Sequence, residues 1–171
     1  MTNGENEQKE DWSQTVSLIR LRRNITSLVK PDFIEMRVDP GNITVIRLTL
    51  DLSSVVESIW VGAKLDFTVT VGDNYPFSIP IVYCNTPVLH PNIDTDGLVG
   101  IELITIGDKP VFKLSTIVTG IANLMIEPNL KKITNAVVGW KYQVHHSHFL
   151  EEVKKMIGEQ RQTRDNSRYK K

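Results

Sequence analysis

Cysteine occurs once in these 171 residues, as Cys84. An internal disulfide is therefore excluded, as is a small scaffold stapled by several bridges, and a lone thiol fits a reducing compartment. Net charge is also missing. Twenty basic and twenty acidic residues cancel, which leaves no summed basic field of the kind that draws nucleic acid or an anionic membrane as partner. No apolar run approaches the roughly 18 residues of a membrane span. The opening MTNGENEQKEDW has no signal-peptide core, so a cytosolic or nuclear protein is expected. Asn24-Ile25-Thr26 and Asn42-Ile43-Thr44 match the glycosylation sequon; without an export signal they read as chance matches. There is no internal repeat or low-complexity stretch.

A hydrophobic content of 40% supplies a core, and the length fits one domain. Residues 1–11 are polar and read as a flexible arm, 12–157 as the domain, and 158–171 as a polar, frayed tail. Leu18, Leu21, Ile25 and Leu28 recur at helical spacing and predict an amphipathic helix that ends before Pro31, with Arg20, Arg22 and Arg23 on a solvated face. Beyond Pro31 the period drops to two. Ile34/Met36/Val38, then Ile46/Leu48/Leu50/Leu52, then Leu65/Phe67/Val69/Val71 alternate with polar residues, and Pro40-Gly41-Asn42 turns between the first two runs. Ile81 to Cys84 adds a short fourth strand, so Cys84 reads as core. The spacing of Ile117, Val118, Ile121, Leu124 and Met125 predicts a buried central helix with Ser115 as its cap, and 134–157 gives one or two more helices. The expected class is α+β, with helices on one face of a four-stranded antiparallel meander.

Between strand four and the central helix lies Pro87 to Glu102, PVLHPNIDTDGLVGIE, which concentrates turn formers and polar side chains. Pro91 pre-sets its own φ and Asp96-Gly97 permits a positive φ, so a shaped surface loop is expected. His90-Pro91-Asn92, with Ile93-Asp94, the Asp96-Gly97 turn and Leu98-Val99, resembles the site loop of the ubiquitin-conjugating enzyme family, and the likeness runs from about Leu18 to Ile157. Glu57 to Lys64, the HPNID spelling and Glu127-Pro128-Asn129 look closest to its neddylation-type members.

The resemblance implies the fold of that family and a thioester transferase activity without a cofactor. Such transfer needs a thiolate, a donor for the oxyanion, and help for the incoming lysine. In the family the cysteine stands ten residues after the histidine; here that position is Gly100. Asn92 matches the asparagine that supports loop and oxyanion, and His90 matches a bracing histidine. Lys132 stands where the family places an aspartate, which reverses the charge met by a cationic substrate, and Asp108 replaces a tryptophan. The resemblance implies contacts to a RING-type ligase at Phe77, Pro110 and Val111, and to the activating enzyme at Arg20, Arg22 and Arg23. Other partners implied are an active conjugating enzyme and a ubiquitin-like modifier.

Three readings follow: a non-catalytic variant that binds partners, an active enzyme whose cysteine at position 100 has been altered, or a structural partner outside modification. Cys84 reads as packing, since buried thiols are usually inert. His145, His146 and His148 read as a solvated helix face, not as a metal site, because nothing completes a ligand set.

Overall fold

A computed structural model describes residues 12–101 and 112–168. The arm at 1–11 and the residues Asp108, Lys109, Pro110 and Val111 lie outside them. The elements run α1 (Trp12–Thr26), β1 (Ile34–Asp39), β2 (Asn42–Asp51), β3 (Lys64–Thr70), β4 (Ile81–Cys84), α2 (Leu114–Ile126), α3 (Ala136–Val144) and α4 (His146–Arg168). The sheet is antiparallel in the order β1-β2-β3-β4. Its register explains the alternation in the sequence: Met36, Leu48, Phe67 and Cys84 form one inward row, and Val38, Ile46, Val69 and Val82 another. Leu48, Phe67, Ile46 and Val69 are wholly buried in the core. A residue of the opposite parity, such as Thr68 beside Tyr83, faces outward. Among the described residues no helix is long and apolar enough to cross a membrane.

Helix α2 contributes Leu114, Ile117, Val118, Ile121, Ala122, Leu124 and Met125 to the core, as its nearly all-round apolar character requires. Its predicted cap is corrected. The N-cap is Lys113, with no side-chain cap bond, and Ser115 lies one residue inside the helix. The Leu114 N–H instead donates to the Tyr75 hydroxyl at 3.0 Å. An orphan donor at a helix start needs some partner, and a buried tyrosine distant in sequence serves in place of a local hydroxyl. Tyr75 is thus a core residue, and Asn24 of α1 donates to the same oxygen at 3.1 Å.

Helix α1 ends before Pro31, as expected, at Thr26, so that Leu28 lies beyond it, and Ser27 N–H closes it by donating to Arg23 C=O at 3.0 Å. One other expectation is corrected. The tail expected to fray at Gly158 stays helical through Arg168. Its polar side chains find backbone acceptors: Gln160 donates to Pro87 C=O at 2.6 Å, and Arg161 to Gly62 C=O at 3.2 Å. Gly62 has φ +88°, and the Arg161 guanidinium lies where a Cβ would be, so the contact depends on glycine. Long polar side chains that cover a neighbouring loop keep a helix formed where composition alone suggests none.

Candidate functional site

The 90–100 loop is half interior. It was expected at the surface, yet His90, Pro91, Asn92, Ile93 and Val99 are buried and only Thr95, Asp96 and Leu98 project. Its tip is a tight turn in which the Asp94 carboxylate accepts from Asp96 N–H at 2.9 Å and Leu98 N–H at 2.8 Å. Gly97 has φ +90°, and a Cβ there would meet Cys84 C=O at 2.4 Å. The expected positive φ is present and the turn is stitched to β4, where Cys84 N–H donates to Gly97 C=O at 2.7 Å. Cys84 itself is core, and burial pushes its thiol up to about 12, which removes it as a nucleophile at neutral pH.

His90 is fixed in one tautomer by its partners. Asn92 N–H, which can only donate, points at Nδ1 at 2.9 Å, so the proton sits on Nε2 and is donated to Leu124 C=O at 2.9 Å. The ring stacks against Trp60 with centroids 4.4 Å apart. Burial pulls its pKa down from 6.5 to about 4, and the Leu124 carbonyl only partly offsets this. His90 is therefore neutral and braces the loop against α2. It follows that unfolding frees a histidine that protonates below pH 6.5, while the folded one resists until about pH 4. Stability is complete above pH 6.5 and falls with acidification across that window, by about 3 kcal/mol in all. Urea unfolding at pH 7 and at pH 4.5 measures the loss, and His90→Gln should flatten the curve between pH 6.5 and 4.5.

Asn92 is completely buried and every polar atom of its amide is engaged. Nδ2 donates to Asn129 C=O and to Lys132 C=O, each at 2.8 Å, and Oδ1 accepts from Asn129 N–H at 2.8 Å. Its side chain thus fastens the 129–132 segment to the loop, with no N–H left over for an oxyanion. Pro91 C=O adds two bonds, from Thr134 N–H and Asn135 N–H at 3.0 Å. Asn135 then caps α3 by accepting from Val138 N–H at 3.2 Å.

These bonds bring Thr134 beside Gly100, a pairing the sequence does not announce. Gly100 N–H donates to Asn92 C=O at 2.8 Å, and a Cβ built on Gly100 would lie 2.3 Å from Thr134 Cγ2. Thr134 carries no chemical motif and stands far along the chain; only the clamped segment delivers it. The space next to Gly100 is filled by a methyl group. Lys132 is exposed at the same segment, so the only formal charge it brings there is positive.

The surface residues separate from this centre. Arg20, Arg22 and Arg23 are exposed on α1, which is tied to the 72–77 loop by Ser17 Oγ donating to Asp73 C=O at 2.7 Å. Phe77 projects from that loop, 62% exposed. Pro110 and Val111 lie outside the described residues. His145 and His146 make ring contacts with Trp140 and Tyr142, and His148 sits 3.5 Å from Glu152. Among the described residues no three potential ligands converge on a metal position.

Helices on one face of a four-stranded meander, with an interior His-Pro-Asn loop clamped between strand and central helix, define the fold and place the site. The family profile described as ubiquitin-conjugating enzyme matches residues 20–157. The Drosophila melanogaster protein named Nedd8-conjugating enzyme UbcE2M is 29% identical over 90% of this chain and 84% of its own. The Schizosaccharomyces pombe protein named NEDD8-conjugating enzyme ubc12 is 30% identical over 75% of this chain and 72% of its own. Among solved structures, S. cerevisiae Ubc12 shares the fold with a TM-score of 0.69 at 23% identity, covering 81% of this chain and 77% of that one. The chain belongs to the ubiquitin-conjugating enzyme family, and within it resembles the NEDD8-conjugating members.

Proposed function

We propose that this chain is a non-catalytic member of the family, working in a ubiquitin-like modifier pathway of the NEDD8 type as a binding module in the cytosol or nucleus. The observation that carries the reading is Gly100, ten residues on from His90, with the Thr134 methyl in the place a nucleophile's Cβ would need. Without a side chain there, no thioester can form. A lysine at position 132 supports the same reading, since a positive charge there opposes the docking of a cationic substrate lysine. Contrary to this reading, a natural cysteine at position 100 would make the chain a transferase.

What the module offers a partner is Phe77, an exposed aromatic on a loop held at both sides: Tyr75 is in the core and Phe112 N–H donates to Pro76 C=O at 2.7 Å. A large apolar side chain presented from a fixed loop is the kind of anchor that interfaces use. A RING-type ligase is the partner we assign to it, with Pro110 and Val111 as further contacts on the family resemblance alone. Arg20, Arg22 and Arg23 are assigned to the activating enzyme, and an active conjugating enzyme or a modifier would be bound without being consumed. The test is made on one preparation. Incubation with activating enzyme, ATP and NEDD8 or ubiquitin should give no thiol-reducible adduct, while an immobilised sample should retain a RING-domain ligase and lose it on Phe77→Ala. A reducible adduct on the unaltered chain, or retention indifferent to Phe77, would overturn the reading.

A further inference from the structure

The 84–89 segment and the 93–97 turn on one side, with α3 and Met156 of α4 on the other, enclose a recess of about 720 Å³. That falls within the size range of sites that enclose a ligand. Much of its lining is apolar: Val88, Leu89, Val138 and Met156 come from three separate segments, and Val137 lines it while 67% exposed. Residues three apart are neighbours on a helix surface, so Trp140, 53% exposed, continues the apolar surface from Val137 along α3.

The charges of this recess have one sign. Asp94 and Asp96 line it and, among the described residues, no lysine or arginine does; Lys132, on the segment beside Gly100, is not part of the lining. Asp94 spends only Oδ1 on the Asp96 and Leu98 N–H groups, which leaves Oδ2 for a cation, and the Asp96 side chain is exposed. A second recess of about 520 Å³ shares Thr86, Pro87 and Met156 with the first and adds Asp66 and Glu159 against Lys64 and Arg164. Those two cations already answer a carboxylate outside the groove: Lys64 lies 3.9 Å from Asp51, and Arg164 interacts with the same group. The surplus along the groove is therefore negative, and it is concentrated at the Asp94 end.

An apolar lining beside carboxylates fits a lysine or arginine, whose methylene stem lies along apolar groups while its head reaches an anion. An acidic or phosphate-bearing partner is repelled from the same place, and the exposed Trp140 ring adds a face that attracts cations. We propose that this groove docks a basic, aliphatic segment of a partner protein, with one lysine or arginine stem along Val137 and Met156 and its charge at Asp94 and Asp96. The docked side chain is bound and not modified. Neither Phe77 nor Gly100 lines the groove, so the contact goes beyond the binding role assigned above and fails separately from it.

Fluorescence anisotropy with a labelled pentapeptide of alternating lysine and leucine makes the test. The peptide should bind with Kd on the order of 100 µM at low salt, and raising salt from ~0.05 to ~0.5 M should weaken it about fivefold. Peptides with glutamate for lysine, or with serine for leucine, should bind at least ~10-fold more weakly. Asp96→Asn combined with Glu159→Gln should weaken the lysine–leucine peptide about threefold, and Val137→Ser about fivefold. All three side chains are exposed, so melting temperatures should agree within ~2 °C. Phe77→Ala should leave peptide affinity unchanged, and retention of a RING-domain ligase should be indifferent to the groove variants, which keeps the two contacts distinguishable. Equal binding of the lysine and glutamate peptides, no binding of the lysine–leucine peptide below ~1 mM, or affinity unchanged in the groove variants would overturn the proposal. Dimerisation of the chain that is lost on Val137→Ser would assign the groove to a second copy and overturn it as well.

Discussion

Asn92→Ala should lower the free energy of unfolding by about 4 kcal/mol. The substitution deletes three hydrogen bonds, to Asn129 C=O, Lys132 C=O and Asn129 N–H, all at 2.8 Å in a fully buried place. Each such bond contributes about 1 kcal/mol net, and more where the partner stays buried and dry. A void the size of a carboxamide adds to the loss. Asn92→Asp should be no milder. It keeps the acceptor for Asn129 N–H but sets carboxylate oxygen against the two carbonyls that Nδ2 now satisfies. Guanidinium unfolding of the three proteins at pH 7 makes the comparison, and a loss below about 1 kcal/mol for Asn92→Ala would mean that the side chain is not what fastens the 129–132 segment.

Gly100→Cys tests the second large effect. Its Cβ would stand 2.3 Å from Thr134 Cγ2, while Thr134 Oγ1 and Cβ lie at 3.4 and 3.5 Å. Thr134 is exposed and the close atom is its terminal methyl, so rotation about χ1 relieves the contact at a cost of no more than about 1 kcal/mol. Thr134→Ala removes the offending methyl and keeps a Cβ at ordinary contact distance. The double variant G100C/T134A should therefore recover the stability lost by Gly100→Cys. It should also form a thiol-reducible adduct in the presence of activating enzyme, ATP and modifier more readily than Gly100→Cys alone. Transfer from that adduct to lysine should remain slow, because Lys132 sets a positive charge where the incoming cationic lysine must dock. Equal adduct yield from the single and double variants would show that Thr134 does not close the space.

The pattern of the sequence reaches a long way into this fold. Alternation in three successive runs determines which faces of β1, β2 and β3 are buried, because a pleated strand sends neighbouring side chains to opposite sides. The nearly unbroken apolar character of α2 determines that it is central. Positive φ at Gly97 is legible too, since an Asp-Gly pair between apolar segments has few other conformations. Helix ends are less legible: α2 starts without a local cap because Tyr75 reaches its first N–H from another part of the chain. Helix α4 outlasts its apolar stripe because Gln160 and Arg161 find carbonyls on loops that no local rule connects to them.

The site divides in the same way. Residue types along the chain determine that position 100 has no nucleophilic atom, that the lone thiol is a core residue, and that the loop must turn at Gly97; these are local facts of covalent chemistry and backbone sterics. Only the tertiary structure decides that His90 is held neutral between Asn92 N–H and Leu124 C=O, that Asn92 faces two carbonyls, and that Thr134 stands over Gly100. Those outcomes depend on segments distant in sequence meeting at contact distance. Desolvation, hydrogen-bond satisfaction and steric exclusion act on the assembled neighbourhood and have no counterpart in the order of residues along the chain.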